Sequence, residues 1–395
     1  MRIALFSVES LHSEMVGGLG VVATEQAAAL QRRGHEVHVF CKGGGGAGGH
    51  KAIDGVQYHF VDAPPGKEND ALVNSMMDMC NNMMWAFGET QNFVGRFDIA
   101  TCHDWMTVKA LVQVKNSHGI PVVFTFHSTE AGRCLSSEKA NPRIRALEAE
   151  AAFVADKVIA VSGRFKGEVM GEYSVPENKC WVVPNGISCA KYDGFIDPSA
   201  VKGKYGIGCM DPVMLFVGRM SGGLKGSDII VEAMPQILGT HGGTKAVFVG
   251  DGDAKLHCDH RSQELGVGGS CRFLGQKSGQ ELVDLYKACD VVVVPSRNEP
   301  FGLIVLEAWA AGKPVVVSDQ VGCPVEMWSN GLVVSCTPDG FAWGCNQILN
   351  DFDRAREMGK RGRERAAFNM TWEASASIMD ACMQDVLKWD RAKGA

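Results

Sequence analysis

The stretch VVVVPSRNEPFGLIVLEAWAAGKPVVVSD, residues 291–319, decides the fold. Four consecutive valines make a short run that is apolar on both faces, which is how a strand buried inside a parallel sheet reads. After R-N-E-P-F-G, the run LIVLEAWAAG reads as a helix stopped by Gly312 and Pro314, and P-V-V-V-S-D begins another strand. Strand, loop, helix, strand is a βαβ unit, and its loop lies at the C-terminal end of a buried strand, where open α/β sheets bind ligands. Glu299 sits in that loop. Glu307, early in the helix, points back towards the same end.

The rhythm extends in both directions. Upstream in the same half come VMLFVGR, IIVEAMPQIL, KAVFVGDG, CRFLG and ELVDLYKAC. The first half repeats it with RIALFSV, TEQAAALQRRG, HEVHVFC, VQYHFV, FDIATCH, KALVQVKNSHG, PVVFTFH, RIRALEAEAAFVA and KVIAVS. Between them, Gly186 to Pro212 is rich in Gly, Asp, Lys and Pro and reads as a linker. The expected architecture is α/β: two Rossmann-like, doubly wound parallel-sheet domains facing a central cleft, at 1–190 and 191–372. An amphipathic C-terminal helix, 373–395, is expected to pack back on the first domain. A chain of 395 residues fits two such domains.

Composition narrows the function. Hydrophobic residues make up 46% and charged residues 21%, as in globular proteins, and no apolar run reaches the ~20 residues that span a bilayer. The first residues run straight into a strand rather than a signal peptide, so a cytoplasmic or other reducing compartment is expected. The net charge of −6 and the lack of clustered Lys and Arg argue against nucleic acid as a partner. Fourteen cysteines are scattered without a C-x-x-C pair, which reads as reduced thiols rather than disulfides or a zinc site. The glycine run GGGGAGGH at 43–50 reads as a flexible connector because no helix start follows it.

Two further loops carry chemistry. V-G-G-L-G at 16–20 follows the first strand and precedes a helix placed near Val21; its glycines allow close backbone approach of a diphosphate to a helix N-terminus. V-G-R-M-S-G-G-L-K-G at 217–226 puts Arg219 at a strand end and Lys225 at the next helix start, a fork and a point charge suited to a diphosphate. The D-x-D at 251–253 lies in a Gly-Asp-Gly turn and reads as structural or as lying beside a nucleobase. A plain Rossmann dehydrogenase is a further reading, but the G-G-L-G loop does not fit its G-x-G-x-x-G spacing and GGGGAGGH is placed wrongly for it.

Taken in order, GGLG, H-D-W at 103–105, F-H-S-T-E-A-G-R-C at 126–134, V-P-N-G at 183–186, V-G-R-M with K-G, V-G-D-G at 249–252 and E-P-F-G-L-I-V-L-E at 299–307 resemble the retaining GT-B glycosyltransferases. The match is to the glycogen- and starch-synthase-like family 4, related to family 5. The resemblance implies a hexosyltransferase that moves a sugar, glucose from a UDP- or ADP-sugar, to a glycan or other hydroxyl acceptor, without a metal or other cofactor. It implies that Arg219 and Lys225 hold the donor diphosphate, that Glu307 binds the ribose hydroxyls, and that Glu299 with the amides of Phe301, Gly302 and Leu303 lies beside the donor sugar. Gly17, Gly18 and Gly20 would close on the phosphates, His127 would approach the reaction centre, and His103, Asp104, Glu130 and Arg133 would line the acceptor side. Catalysis would then rest on His127, Glu299, Arg219 and Lys225. The bland readings are a strand cap for His103, a helix N-cap for Asp104 and a surface pair for Glu130 and Arg133. Two features depart from the family: an Arg219–Lys225 interval one residue longer than usual, and Cys323 where a second glycine is common. The competing readings are a GT-B sugar-nucleotide epimerase or phosphorylase, and a nucleotide-sugar-binding protein without catalysis.

Overall fold

The structure, a computed structural model, describes residues 1–13, 17–43, 49–66, 69–220 and 223–394. Val16 of the first glycine loop, residues 44–48 of the glycine run, Ser221 and Gly222 of the second loop, and Ala395 lie outside the described residues. The chain divides into two compact units, Met1–Gly186 with Trp372–Ala395, and Ile187–Thr371.

Unit 1 is built on β1 (Arg2–Phe6), β2 (Glu36–Lys42), β3 (Gly49–Ile53), β4 (Val56–Val61), β5 (Ile99–His103), β6 (Val122–Phe126), β7 (Lys157–Ala160) and β8 (Cys180–Val182). They form one eight-stranded sheet in the order β3-β4-β2-β1-β5-β6-β7-β8. Every pairing is parallel except β3 with β4, an antiparallel edge hairpin. Its helices are α1 (Gly18–Arg32), α2 (Asn69–Val94), α3 (Val108–His118), α4 (Glu130–Cys134), α5 (Pro142–Val154) and α6 (Gly163–Tyr173). Ile3, Ala4, Leu5 and Phe6 are fully buried, as a central strand covered on both faces requires.

The first α-helix of unit 2 is α7 (Pro198–Lys204), a short helix inside the stretch that composition marks as linker. Asp197 caps it by accepting from Ser199 N, and Pro198 occupies the first turn, where its missing N–H costs nothing. The strands β9 (Val213–Val217), β10 (Lys245–Val249), β11 (Cys271–Phe273), β12 (Val291–Val294), β13 (Val315–Ser318) and β14 (Gly331–Val334) make a six-stranded, wholly parallel sheet in the order β11-β10-β9-β12-β13-β14. Its helices are α8 (Ser227–Thr240), α9 (Ala254–Glu264), α10 (Gly279–Ala288), α11 (Leu303–Ala310), α12 (Pro338–Leu349) and α13 (Phe352–Asn369). All four valines of β12 are buried, and Gly312 ends the α11 segment with φ +71, a left-handed conformation that side chains resist.

The last helix, α14 (Trp372–Gly394), belongs to unit 1 and packs on α1. Ala376, Met379, Cys382, Met383 and Val386 form its buried seam, flanked by Arg32–Glu373 at 2.6 Å and Arg33–Asp380 at 3.1 Å. One expectation needs correction. The helix after the first loop starts at Gly18 rather than near Val21, so the glycines form its first turn. Helix α2, 26 residues long, is not among the segments read from the sequence, although Val73, Met76, Cys80, Met83, Phe87 and Thr90 recur at helical spacing and are buried.

Candidate active site

In unit 2 the loops that leave β9 and β12 come together. Lys225 Nζ lies 2.6 Å from Glu299 Oε2, and Ser296 Oγ is 3.4 Å from the same oxygen. Glu299 is fixed by its backbone: its N–H donates to Gln320 O at 3.1 Å, and its carbonyl accepts from Gly322 N at 2.8 Å. Cys323 continues this strap, donating from its N–H to Phe301 O at 2.7 Å, and its side chain is buried. It is absent from the residues with positive φ, so its departure from glycine carries no backbone strain there.

The Lys225 loop is braced by two residues that the sequence reading did not single out. Arg297 donates to both carboxylate oxygens of Asp228, at 2.9 and 2.5 Å, and to the Gly223 carbonyl. The backbone adds Arg297 N to Leu224 O at 2.8 Å. Asp228 holds the Arg297 guanidinium above its ordinary pKa, its hydrogen bond being the largest cause. Close approach is possible because residue 226 is glycine: a Cβ there would fall 1.9 Å from the Pro295 carbonyl oxygen, and φ is +70. Arg219, just beyond β9, is exposed and has no acidic partner among the described residues.

Helices α1, α8 and α11 have Gly17, Gly226 and Gly302 as N-caps, which have no side chain to cap with, and α3 and α10 likewise lack a side-chain cap bond. By contrast α4, α5, α6, α9 and α12 are capped by Thr129, Asn141, Ser162, Asp253 and Thr337. An uncapped start leaves amide N–H groups and the positive dipole end available to an anion. Gly302 N-caps α11 with φ +98, so the amides of Gly302 and Leu303 open beside Glu299. Gly17 N already donates to Glu9 Oε2 at 3.0 Å, while Gly18 and Gly20 lie within the first turn of α1. Asp253 of the D-x-D accepts from Ala254 N at 3.0 Å, which is helix capping.

Glu307 lies one turn into α11, where its Oε2 accepts from Tyr286 OH at 2.6 Å. Burial raises its pKa, and the tyrosine bond opposes the rise. Tyr286 packs edge-on against Tyr192, with ring centroids 6.1 Å apart.

Unit 1 gathers a second constellation at the ends of β5 and β6. His103 Nδ1 lies 2.9 Å from His127 Nε2, with the rings stacked at 5.2 Å and 14°. Burial lowers the pKa of both, that of His103 well below the ordinary value, so the pair is neutral near pH 7. His103 Nε2 is buried without a hydrogen-bond partner. A stranded N–H costs more than a stranded lone pair, which places the His103 proton on Nδ1, donated to His127, and leaves the His127 proton on its own Nδ1. Asp104 does not cap a helix with its side chain: it accepts from His127 N at 2.8 Å, and its φ of +58 is a strained value for a non-glycine.

Glu130 and Arg133 are not a surface pair. Arg133 donates to Glu130 at 2.9 Å, to Ser128 Oγ at 2.6 Å and to Glu148 at 2.8 Å. Glu148 on α5 is fully buried, accepts from Glu130 N at 3.0 Å and is hydrogen-bonded by Tyr173 OH. The network pins the His127 loop to α5 and α6. Glu148 was missed because, within R-A-L-E-A-E-A-A, nothing local separates the buried glutamate from the solvated ones.

The chain matches the family model described as Glycosyltransferase Family 4 over residues 16–191, and that described as Glycosyl transferases group 1 over 199–365. It is 36% identical over 361 residues to an uncharacterized glycosyltransferase of Methanocaldococcus jannaschii, covering 89% of this chain and 90% of that one. This chain belongs to the family 4 glycosyltransferases. The glycosyltransferase is also 28% identical over 394 residues to the glycogen synthase of Mycobacterium tuberculosis, at 95% and 93% coverage. Sucrose-phosphate synthase from Thermosynechococcus elongatus shares its fold with a TM-score of 0.82 at 23% identity, covering 98% of this chain and 99% of that one. Anabaena HepE in complex with UDP and glucose shares it with a TM-score of 0.76 at 20% identity, covering 97% and 99%. The GT-B fold of the glycosyltransferase thus accompanies its family.

Proposed function

We propose that this glycosyltransferase transfers a hexose, glucose from a UDP- or ADP-sugar, to a glycan or other hydroxyl acceptor, with retained configuration and no metal. The observation that carries the reading is the unit 2 cradle: Lys225 against Glu299, an exposed Arg219, and the uncapped start of α11. As the glycosidic bond breaks, the leaving diphosphate gains negative charge. Two cations and fixed amides stabilise that charge without reorganising, which is electrostatic catalysis. Glu307 binds the ribose hydroxyls and is oriented by Tyr286. Glu299, held by Lys225 and Ser296, acts as a positioning carboxylate rather than a nucleophile, so the acceptor attacks from the face the diphosphate leaves and the diphosphate takes its proton. Neutral His127 serves the donor sugar; His103, Asp104, Glu130 and Arg133 shape the acceptor side, the last two through the buried network. The binding of UDP and glucose by HepE, a protein of the same fold, supports the donor class.

The test is release of nucleoside diphosphate from uridine-, adenosine- and guanosine-linked sugars in EDTA, with Lys225→Ala and Glu307→Ala alongside. Release from one donor, lost in both variants, is expected. Donor binding without release for any sugar and a panel of glycan acceptors would replace this reading with that of a binding protein.

A further inference from the structure

A pocket of about 820 Å³ opens in unit 1 between the β2–β4 sheet face and the last turns of α2, within the ~300–1,000 Å³ of small-molecule sites. Its strands β2, β3 and β4 stand at one edge of the sheet, whereas the histidine pair lies at β5 and β6, beyond β1. Glu36 and His38 are the first and third residues of β2, and Gln57 is the second of β4, whereas His103 ends β5 and His127 follows β6. The transfer site therefore does not account for it.

The walls follow from two periodicities. Along α2, Trp85, Glu89 and Phe93 recur every four residues and stand on one face. On the sheet, alternate residues point the same way, which brings His38 and His59 together at 3.0 Å and sets His50 directly across from His59. Trp85 is 73% and Phe93 87% exposed, large aromatic surface left in water on a helix that buries its other side.

The charges select the ligand. Among the described residues, no lysine or arginine lines the pocket. Glu36 is held by Arg2 at 2.9 Å, and burial lowers the pKa of His38 and takes His59 down to about 3, so both rings are neutral. A phosphate or carboxylate finds no counter-charge here, and a purely apolar molecule would cover the Gln57 NH2, whose Oε1 is already paired with His50 Nε2 at 2.8 Å, without giving it an acceptor. A pyranose meets both demands, since its C–H face packs on an indole or phenyl ring and its hydroxyls both donate and accept. We propose that this pocket is a second carbohydrate site, which binds a neutral oligosaccharide independently of the nucleotide.

Calorimetric titration of the full chain with maltohexaose, cellohexaose and mannohexaose, without nucleotide, tests this. At least one hexasaccharide should bind. Trp85→Ala and Gln57→Ala should each weaken it tenfold or more, while Phe195→Ala, at an exposed ring of unit 2, leaves it unchanged. Unaltered melting of the Trp85→Ala protein keeps that loss distinct from unfolding, and unchanged UDP and ADP binding keeps it distinct from the donor reading. Absence of binding by all three sugars, or binding that Trp85→Ala leaves intact, would overturn the proposal.

Discussion

Replacing Arg297 by alanine should loosen the Lys225 loop without removing any proposed donor-contacting side chain. Arg297 makes a two-pronged pair with Asp228 and a charge-assisted bond to the Gly223 carbonyl. Both partners of the pair are about a third exposed, so solvent screening holds it to ~1 kcal/mol or less. The bond to the carbonyl contributes ~1.5–3 kcal/mol before the same screening. Together they supply about 2 kcal/mol of loop order, set against the ~1–2 kcal/mol of backbone entropy that each freed residue regains. The backbone bond from Arg297 N to Leu224 O survives the substitution, so the loop loosens rather than unfolds. At ~1.4 kcal/mol per tenfold, donor KM should rise ten- to thirtyfold, with a smaller fall in kcat. Steady-state kinetics across donor concentrations reads this directly, with Asp228→Asn giving the same direction at smaller size. An unchanged KM in Arg297→Ala would refute the brace.

Three further outcomes follow from the same geometry. Glu307→Gln should weaken donor binding yet stabilise the fold: burial raises the Glu307 pKa, so wild-type stability falls as pH rises from the unfolded carboxylate value through the raised folded one, and the glutamine protein, free of that loss, melts higher above this window and equally below it. Glu148→Ala should destabilise unit 1 by about 3 kcal/mol in urea unfolding, the low end of the ~3–5 kcal/mol for breaking a buried pair, because Arg133 keeps Glu130. Gly226→Ala, whose Cβ meets the Pro295 carbonyl at 1.9 Å, should lower both thermal stability and donor affinity, read by melting with and without nucleotide.

Much of this was legible in the chain because the signals were local. The valine run of β12, the Gly312 stop and the strand-end position of Glu299 each follow from neighbours in sequence. What escaped depended on distant residues. Asp228 and Arg297 meet across 69 positions, and Tyr286 reaches Glu307 across 21; an isolated arginine or tyrosine carries no mark of such a partner. Asp104 illustrates the converse: an aspartate before a helical turn suggests a cap, yet the His127 amide offered by β6 takes its side chain. Glycine is a poor helix former, so G-G-L-G reads as loop in the sequence, whereas in the fold Gly18 and Gly20 belong to the first turn of α1.

The most direct test of the donor cradle is calorimetric binding of UDP and ADP in EDTA, to the wild type and to Lys225→Ala. The account predicts binding of one nucleotide without added metal, weakened about tenfold to a hundredfold by loss of the charge-assisted contact. Binding that requires a divalent cation, or that is indifferent to Lys225, would contradict it.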